Sequence, residues 1–417
     1  MNIPELYELF LECDGIATDT RSLRPDSLFF ALRGEQFDGN RFAEDALKKG
    51  ATAVVVSDPA LALHSHFKDR IIVVPDPLRS LQELAHHHRS HFPIPIIGIT
   101  GTNGKTTTKE LVAAVLCEKY RIVKTEGNLN NHIGVPMTLL RIKKSTEIAI
   151  IEMGANHIND IRDLCTIAEP THGIITNIGL AHLEGFGSKE GVAKAKGALY
   201  EWLRDHAGTI FVNKNNPDLT TLLWSLDPGC KAETVRYGDE EMPENEHLFG
   251  NFNKENMRAA FAIGAYFKIL KVTINKALRN YQPTNMRSQI ISTKKGNDII
   301  LDAYNANPSS MKAAIEAFAL LTTIKPKWLI LGDMKELGTV SEDAHLQTLK
   351  DISFYCFQNV ILIGEQFCKA HGELKQYACF KTKEEFETSP FAMSIKNSSV
   401  LIKGSNSMRM WEITGKL

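Results

Sequence analysis

Short runs of β-branched and aliphatic residues alternate along the chain with longer stretches whose apolar positions recur at helical spacing. In the first part, "ATAVVVS" (51–57) and "RIIVVPD" (70–76) read as strands. "LRSLQELAHHHRSHF" (78–92) reads as a helix that Pro93 and Pro95 bring to an end. The apolar strand "IPIIGIT" (94–100) then runs through glycines into the helical pattern "KTTTKELVAAVLCEKY" (105–120). "EIAIIEM" (147–153), "THGIITNIG" (171–179) and "GTIFVN" (208–213) read as buried strands, and "EGVAKAKGALYEWL" (190–203) and "NKENMRAAFAIGAYFKIL" (253–270) as helices. The polar, proline-containing "QPTNMRSQ" (282–289) breaks the series, which then resumes: strands at 298–304, 327–334, 359–365 and 399–405, helices at 308–321 and 341–352. Strands alternating with helices predict parallel sheets covered by helices. The expected architecture is α/β in three domains, 1–93, 94–284 and 285–417, with clefts between them. The central and last domains are expected to be parallel-sheet domains, the last Rossmann-like.

Length and composition agree. A chain of 417 residues is too long for one ordinary core, and 43% hydrophobic with 23% charged residues is the balance of a folded protein. A net charge of −1 without a long basic run argues against nucleic acid as a partner. No apolar stretch approaches the ~20 residues that cross a bilayer, so no membrane segment is expected. The acidic start "MNIPELYELFLECDG" does not resemble a secretory leader. Seven scattered cysteines, odd in number and without C-x-x-C, predict a reducing compartment and no zinc ribbon. The reading at this stage is a cytoplasmic monomer.

The chemistry begins at "GITGTNGKTTTKEL" (98–111). A strand enters this loop, a helix leaves it, and Lys105 stands at the helix start, the setting in which backbone N–H groups hold phosphate. Gly101 and Gly104 let the backbone approach an anion. Thr102, Asn103 and Thr107 complete the loop, Lys105 would neutralise phosphate, and Thr106 would reach a magnesium ion. The usual G-x-x-x-x-G-K-[ST] spacing fails, however, because five residues before Gly104 stands Ile99. Glu152 ends an apolar strand, where α/β sheets place ligands. "HHH" at 86–88 with His91 could chelate a metal ion, but no carboxylate or cysteine pattern supports it, and a solvated helix face is the expectation.

The short loop T-G-T-N-G-K-T resembles that of the Mur ligases. So do "TDTRSLRPDSLFFALRGEQFDGNRFAEDALKKGA" (18–51), "TEGNLNNHIGVP" (125–136), "IIEMGANHINDI" (150–161), "TNIGLAHLEGFGSKEGVAKAKGALY" (176–200), "NFNKENMRAA" (251–260), "LDAYNANPSSMKAAI" (301–315), "LGDMKELG" (331–338) and "VLIKGSNSMRM" (400–410). "EMGAN", "AHLEGFGS" and "YNANPSSM" favour the family member that joins D-alanyl-D-alanine to a UDP-N-acetylmuramoyl tripeptide. The resemblance implies an amide ligase whose central domain is a P-loop-type parallel-sheet ATPase domain, using ATP and two Mg2+ ions to form an acyl phosphate. It implies magnesium ligation by Thr106, Glu152 and His182, and a CO2-derived carbamate on Lys196. Burial would leave the Lys196 amine neutral and nucleophilic enough to form it. Relatives commonly have Glu just after the A-K-G, where Ala198 stands here.

For the nucleotide, the resemblance implies Asn253 and Asn256 at adenine, with N-terminal capping the alternative for Asn253. It places Arg287 at the γ-phosphate and Asp302 at the ribose, both arriving with the third domain. Thr20, Arg21 and "GEQFDGN" (34–40) would hold uridine. Asn128, Asn130 and Asn131 would meet the muramoyl part or the phosphates, and Asn305, Asn307 and Ser309 the dipeptide. Two other readings stay open: a sibling amide ligase, either another Mur ligase or one like folylpolyglutamate synthetase, and an ATP-binding relative without catalysis.

Overall fold

A computed structural model describes residues 1–35, 37–179, 183–226, 232–372 and 376–417. It contains three sheets. The first is parallel throughout, in the order β1 (Gly15–Ala17), β2 (Ser27–Phe30), β3 (Ala53–Val56), β4 (Ile71–Val73). The second is a six-stranded parallel sheet, order β10-β9-β8-β5-β7-β6. Its strands are β5 (Ile96–Thr100), β6 (Ile122–Lys124), β7 (Ile148–Glu152), β8 (His172–Ile175), β9 (Thr209–Asn213) and β10 (Glu233–Tyr237). The third has order β11-β12-β16-β13-β14-β15. It is built from β11 (Gln289–Ser292), β12 (Asp298–Asp302), β13 (Lys327–Gly332), β14 (Asn359–Ile363), β15 (Ala378–Phe380) and β16 (Ser399–Lys403). This last sheet is mixed, because β11 runs antiparallel to β12.

The central sheet shows why its strands read as continuous apolar runs. Ile96, Ala149, Ile151, Ile175, Ile210 and Val212 pack into one core layer, and Ile97, Ile99, Ile148, Ile150, Ile174 and Phe211 into another on the opposite face. Alternate side chains go to opposite faces, and both faces are covered, as a parallel sheet requires. The first layer does not stop at the prolines. It takes in Leu6, Leu28, Phe30 and Leu81 of the first region, so the first and second regions share one apolar cluster. The third region has two clusters of its own.

The joint between the first two regions is polar as well as apolar, and it explains the histidine run. The helix Pro77–Ser90 starts on an Asp76 cap that accepts from Leu78 and Arg79 N–H. Its His88 is buried, with Nδ1 3.2 Å from the Tyr7 hydroxyl and Nε2 2.9 Å from the Ile142 carbonyl. The rings of His87 and His91 lie 4.9 Å from that of Tyr7. Arg89 donates from Nε to Ala168 O, 3.1 Å, at the end of the helix Asp160–Ala168. His88 is thus packed into the seam and His87 is half-buried, while His86 and His91 stay exposed, so the expected solvated face holds for the outer side of the run only.

Three further differences have simple causes. The predicted strand 171–179 ends at Ile175, and the following residues form a loop that braces the glycine loop at 101–104. The predicted helix 253–270 is Phe252–Tyr266, followed by a second helix Lys271–Asn280. Cys368 and Cys379 form a disulfide between the helix Glu365–His371 and edge strand β15, with Cα atoms 5.7 Å apart. A separation of 11 residues is invisible to a C-x-x-C test, so cysteine count carries no argument about compartment.

His172 at the start of β8 packs among Phe211, Tyr266 and Phe267. Burial pulls its pKa down to about 4. Because the folded state disfavours the charged ring, the neutral form's contribution is whole above about pH 6.5 and is lost as pH falls toward 4. Urea unfolding should therefore give a stability about 2 kcal/mol lower at pH 5 than at pH 7.5 on this account, and His172→Phe should flatten that part of the difference. An unchanged pH dependence in the variant would contradict the assignment.

Candidate active site

The carboxyl ends of β8, β5 and β7 lie side by side in the central sheet, so the segments leaving them meet at one edge. From β5 comes the glycine loop. Gly101 has φ +145°, and a Cβ there would sit 1.9 Å from Thr176 Oγ1; Gly104 has φ +78° and would collide with Asn256 Oδ1 at 2.6 Å. Both positions need glycine for conformation and for space.

The loop is braced from the segment after β8. Thr102 N–H donates to Asn177 O (3.0 Å), and Thr102 Oγ1 accepts from Gly179 N–H at 2.9 Å. Asn103 N–H donates to Asn177 Oδ1 (3.0 Å), while Thr176 Oγ1 donates to Asn103 O at 2.6 Å. Thr176 and Asn177 were not among the residues that sequence reasoning singled out. The available signal was two hydrogen-bonding side chains immediately after a buried strand.

The helix Lys105–Leu116 begins at Gly104. Its first N–H groups have no partner within the helix and face the cleft. Lys105 Nζ folds back over the loop, donating to Gly101 O (2.7 Å) and Thr102 O (3.0 Å). Burial lowers its pKa to about 8; Glu152 opposes that shift and Arg287 adds to it.

From the end of β7 comes Glu152, fully buried. Its Oε1 accepts from Thr106 Oγ1 at 3.0 Å and from Asn130 Nδ2 at 2.8 Å. Its backbone N–H donates to Thr125 Oγ1 at 3.0 Å. Its Oε2 accepts no hydrogen bond among the described residues, although the buried Lys109 ammonium stands 3.4 Å away as an ion pair. A buried oxygen left unpaired is costly unless something else meets it. A hard cation satisfies that need, and a hydroxyl beside a single carboxylate is a donor set that suits magnesium with water and phosphate completing the shell. No group of three or more His, Cys, Asp or Glu gathers among the described residues. His182 lies outside them. Lys196, on the helix Lys189–Asp205 that Ser188 caps, is buried with Nζ 5.6 Å from the Phe186 ring centre. Burial first, then Lys105, pulls its pKa to about 7.

The remaining wall of this 890 Å³ cavity comes from the third region. Asp302 and Lys403 are register partners at the ends of β12 and β16. Lys403 Nζ donates to Asp302 Oδ2 at 2.5 Å, and Ser288 N–H to Asp302 Oδ1 at 3.1 Å. Arg287 stacks on Tyr304, Cζ 3.8 Å from the ring centre, and its buried Nε has no hydrogen-bond partner among the described residues. Asn307 caps the helix Pro308–Leu320. It also donates from Nδ2 to Asn103 Oδ1 (2.8 Å), while Asn103 Nδ2 donates to Ser309 Oγ (2.8 Å). Third region and phosphate loop are therefore already clasped.

The structure gathers most, not all, of the expected residues. Asn128, Asn130, Asn131, Asn253, Asn256, Asn305, Asn307 and Ser309 line the cavity. Asn256 and Asn253 have their amides engaged: Asn256 accepts from Thr108 Oγ1 (3.1 Å) and donates to Asn253 Oδ1 (2.8 Å), and Asn253 donates to Phe249 O (2.6 Å). Asn253 does not cap its helix, whose N-cap is Asn251. Asn131 Oδ1 accepts from Ile133 and Gly134 N–H, holding the turn into a short helix. Thr20 and Arg21 do not line the cavity; Arg21 forks onto Asp19 on the surface of the first region, and that pairing lowers the Asp19 pKa to about 2.

Comparison with known proteins agrees with this geometry. Family models match three successive parts of the chain: "Mur ligase family, catalytic domain" at residues 12–89, "Mur ligase middle domain" at 99–245 and "Mur ligase, glutamate ligase domain" at 286–406. The UDP-N-acetylmuramoyl-tripeptide–D-alanyl-D-alanine ligase of Bacillus subtilis is 36% identical, covering 97% of this chain and 93% of its own. The ligase of the same name from Escherichia coli is 32% identical over 99% and 95%. Among solved structures, MurF from Acinetobacter baumannii superposes with a TM-score of 0.86 at 26% identity, covering 100% of this chain and 98% of that one. MurF ligase from Thermotoga maritima in complex with ADP gives 0.82 at 24% identity, over 98% and 97%, a likeness of fold. The chain belongs to the Mur ligase family.

Proposed function

We propose that this chain adds D-alanyl-D-alanine to a UDP-N-acetylmuramoyl tripeptide, using ATP, as the named relatives imply. The observation that carries the reading is the meeting of three things at one cavity: a glycine loop at a helix start, a buried carboxylate with an oxygen that accepts no hydrogen bond, and a third region clasped onto the loop. No helix among the described residues is long and apolar enough to cross a membrane, and we take the enzyme to work as a cytoplasmic monomer. Residues 1–93 would bind the UDP part, 94–284 ATP, and 285–417 the amine while closing the ATP site.

The tripeptide carboxylate attacks the γ-phosphorus, ADP leaves, and an acyl phosphate forms. The dipeptide amine then attacks the acyl carbon, phosphate leaves, and the amine gives up a proton. Lys105 and the N–H groups opening its helix hold the β,γ-phosphates as charge moves onto the leaving oxygen. Magnesium, when bound, neutralises phosphate oxygens; Thr106, Glu152 and His182 would hold it, with Lys196 as a carbamate. Arg287, released from Tyr304, supplies a forked, permanent charge for the transferring phosphoryl group. Asp302, fixed by Lys403 and Ser288, faces the ribose, and Asn253 and Asn256 the adenine. Asn128, Asn130 and Asn131 form the side toward the muramoyl substrate, Asn305, Asn307 and Ser309 the side toward the dipeptide, and Thr20 and Arg21 belong to a separate uridine site.

The outcome expected of a phosphate-release assay is turnover only when ATP, magnesium, UDP-N-acetylmuramoyl tripeptide and D-alanyl-D-alanine are all present. Equal release without the dipeptide would sink the reading. Lys196→Ala should lose at least about a hundredfold in kcat, the scale of removing one electrostatic group, while binding ATP as before. Unchanged turnover in this variant would contradict the role given to Lys196. Since the Lys196 amine titrates near pH 7, its carbamate should be harder to form as pH falls below that value. Bicarbonate should then restore more activity at pH 6.5 than at pH 8.5; equal effects at both would count against the carbamate.

A further inference from the structure

One helical turn beyond Thr106 stands a lysine that the roles above leave unused. The Lys109 side chain is completely buried. A buried ammonium is costly unless it is paired and hydrogen-bonded. Lys109 Nζ donates to the Gly127 carbonyl at 3.0 Å, and it stands 3.3 Å from Glu110 Oε1 and 3.4 Å from Glu152 Oε2. Glu110 pairs in turn with Lys124. Thr106 and Lys109 are i and i+3 on one helix, so they project from the same face. That face offers a hydroxyl to one oxygen of Glu152 and a cation to the other.

Two consequences follow from the placement. The carboxylate is held from both sides, and the Gly127 bond ties the same ammonium to the loop that carries Asn128, Asn130 and Asn131. The charge count also changes. Two carboxylates, Glu110 and Glu152, meet two ammonium groups, Lys109 and Lys124, so the set is neutral, with Lys109 and Glu152 its fully buried pair. Lys105 adds a further positive field on Glu152. Affinity for a hard divalent ion follows the negative charge of its ligands. Glu152 alone, already balanced, attracts such an ion weakly until phosphates bring negative charge of their own.

We propose that Lys109 is a positioning residue that holds and neutralises Glu152, so that the divalent ion enters this cavity only together with nucleotide phosphates. The inference rests on the ATP-and-magnesium reading of the same cavity. It assigns Lys109 no contact with substrate.

The test is a titration of Mn2+ followed by the electron paramagnetic resonance signal of the free ion, with and without a non-hydrolysable ATP analogue. Wild-type protein should bind Mn2+ tightly only with the analogue. Lys109→Gln keeps a donor for the Gly127 carbonyl and removes the charge. It should bind Mn2+ without nucleotide at least about tenfold more tightly than wild type. Its Tm should rise on adding Mg2+ alone, while the wild-type value stays put. A purely structural lysine would lower Tm in the variant without creating nucleotide-free ion binding. If Lys109→Gln binds the analogue–Mn2+ pair yet gains nothing without nucleotide, the assignment fails and the ligase reading stands. Wild type binding Mn2+ equally well with and without the analogue also overturns it, and requires no variant to fold. Wild type binding no Mn2+ in either condition overturns both the assignment and the metal reading beneath it.

Discussion

The site depends on one buried carboxylate at the end of a buried strand. Glu152 is where β7 meets the cleft, and its position is set by groups from three directions: Thr106 and Lys109 on the loop helix, Asn130 on the loop after β6, and Thr125 on its backbone. Burying a charge inside a parallel sheet is unfavourable unless each oxygen is met. One oxygen is met by two donors. The other faces a cation and retains a lone-pair direction with no hydrogen bond. The phosphate loop, the asparagine loop and the sheet edge are thus fixed by a single side chain whose own needs are not fully met by protein. That incompleteness is what makes the place a site rather than a piece of core.

The third region completes the cavity by pairing polar groups rather than by apolar packing. Its clusters are separate from those of the central sheet, apart from the side chain of Phe249, which reaches in from the segment before the region. What holds it to the loop is the Asn103–Asn307–Ser309 set. Hydrogen bonds of this kind exchange readily with water and with ligand groups, each contributing roughly 1 kcal/mol net. The contrast with the first region is instructive. There the seam shares a continuous apolar cluster and buries His88 and Arg89. The same chain therefore has an apolar joint on one side of the cavity and an exchangeable polar one on the other, a combination that suits a site which must open to admit ligands and then exclude water.

The sequence made the central domain legible because its signals are local. A buried strand, two glycines and a lysine at a helix start are adjacent residues, and the glycines stand at positive φ where no side chain fits. Glu152 was readable as a polar residue closing an apolar run. Register and bracing were not readable, because they join distant segments. Thr176 and Asn177 act on the loop from β8, Lys403 reaches Asp302 only because β16 lies beside β12, and Lys109 looks like an ordinary helical lysine until β7 is laid next to β5. The strands β1, β2, β6, β10, β11 and β15 were not read, and length alone is not the reason, since β3, β4 and β8 are as short but lie in continuous β-branched runs. The antiparallel β11 has half-exposed alternation, easily mistaken for a linker. Family resemblance supplied Lys196 and Arg287, which no spacing argument would have chosen.

The most direct measurement of the central claim is a crystal structure of the protein with Mn2+ and a non-hydrolysable ATP analogue, the ion located by its anomalous scattering. The account predicts that Glu152 and Thr106 hold the ion together with the nucleotide, with Lys109 still beside the carboxylate. An ion held only by phosphates and water, with Glu152 Oε2 turned away from it, would contradict the claim that this carboxylate organises the site.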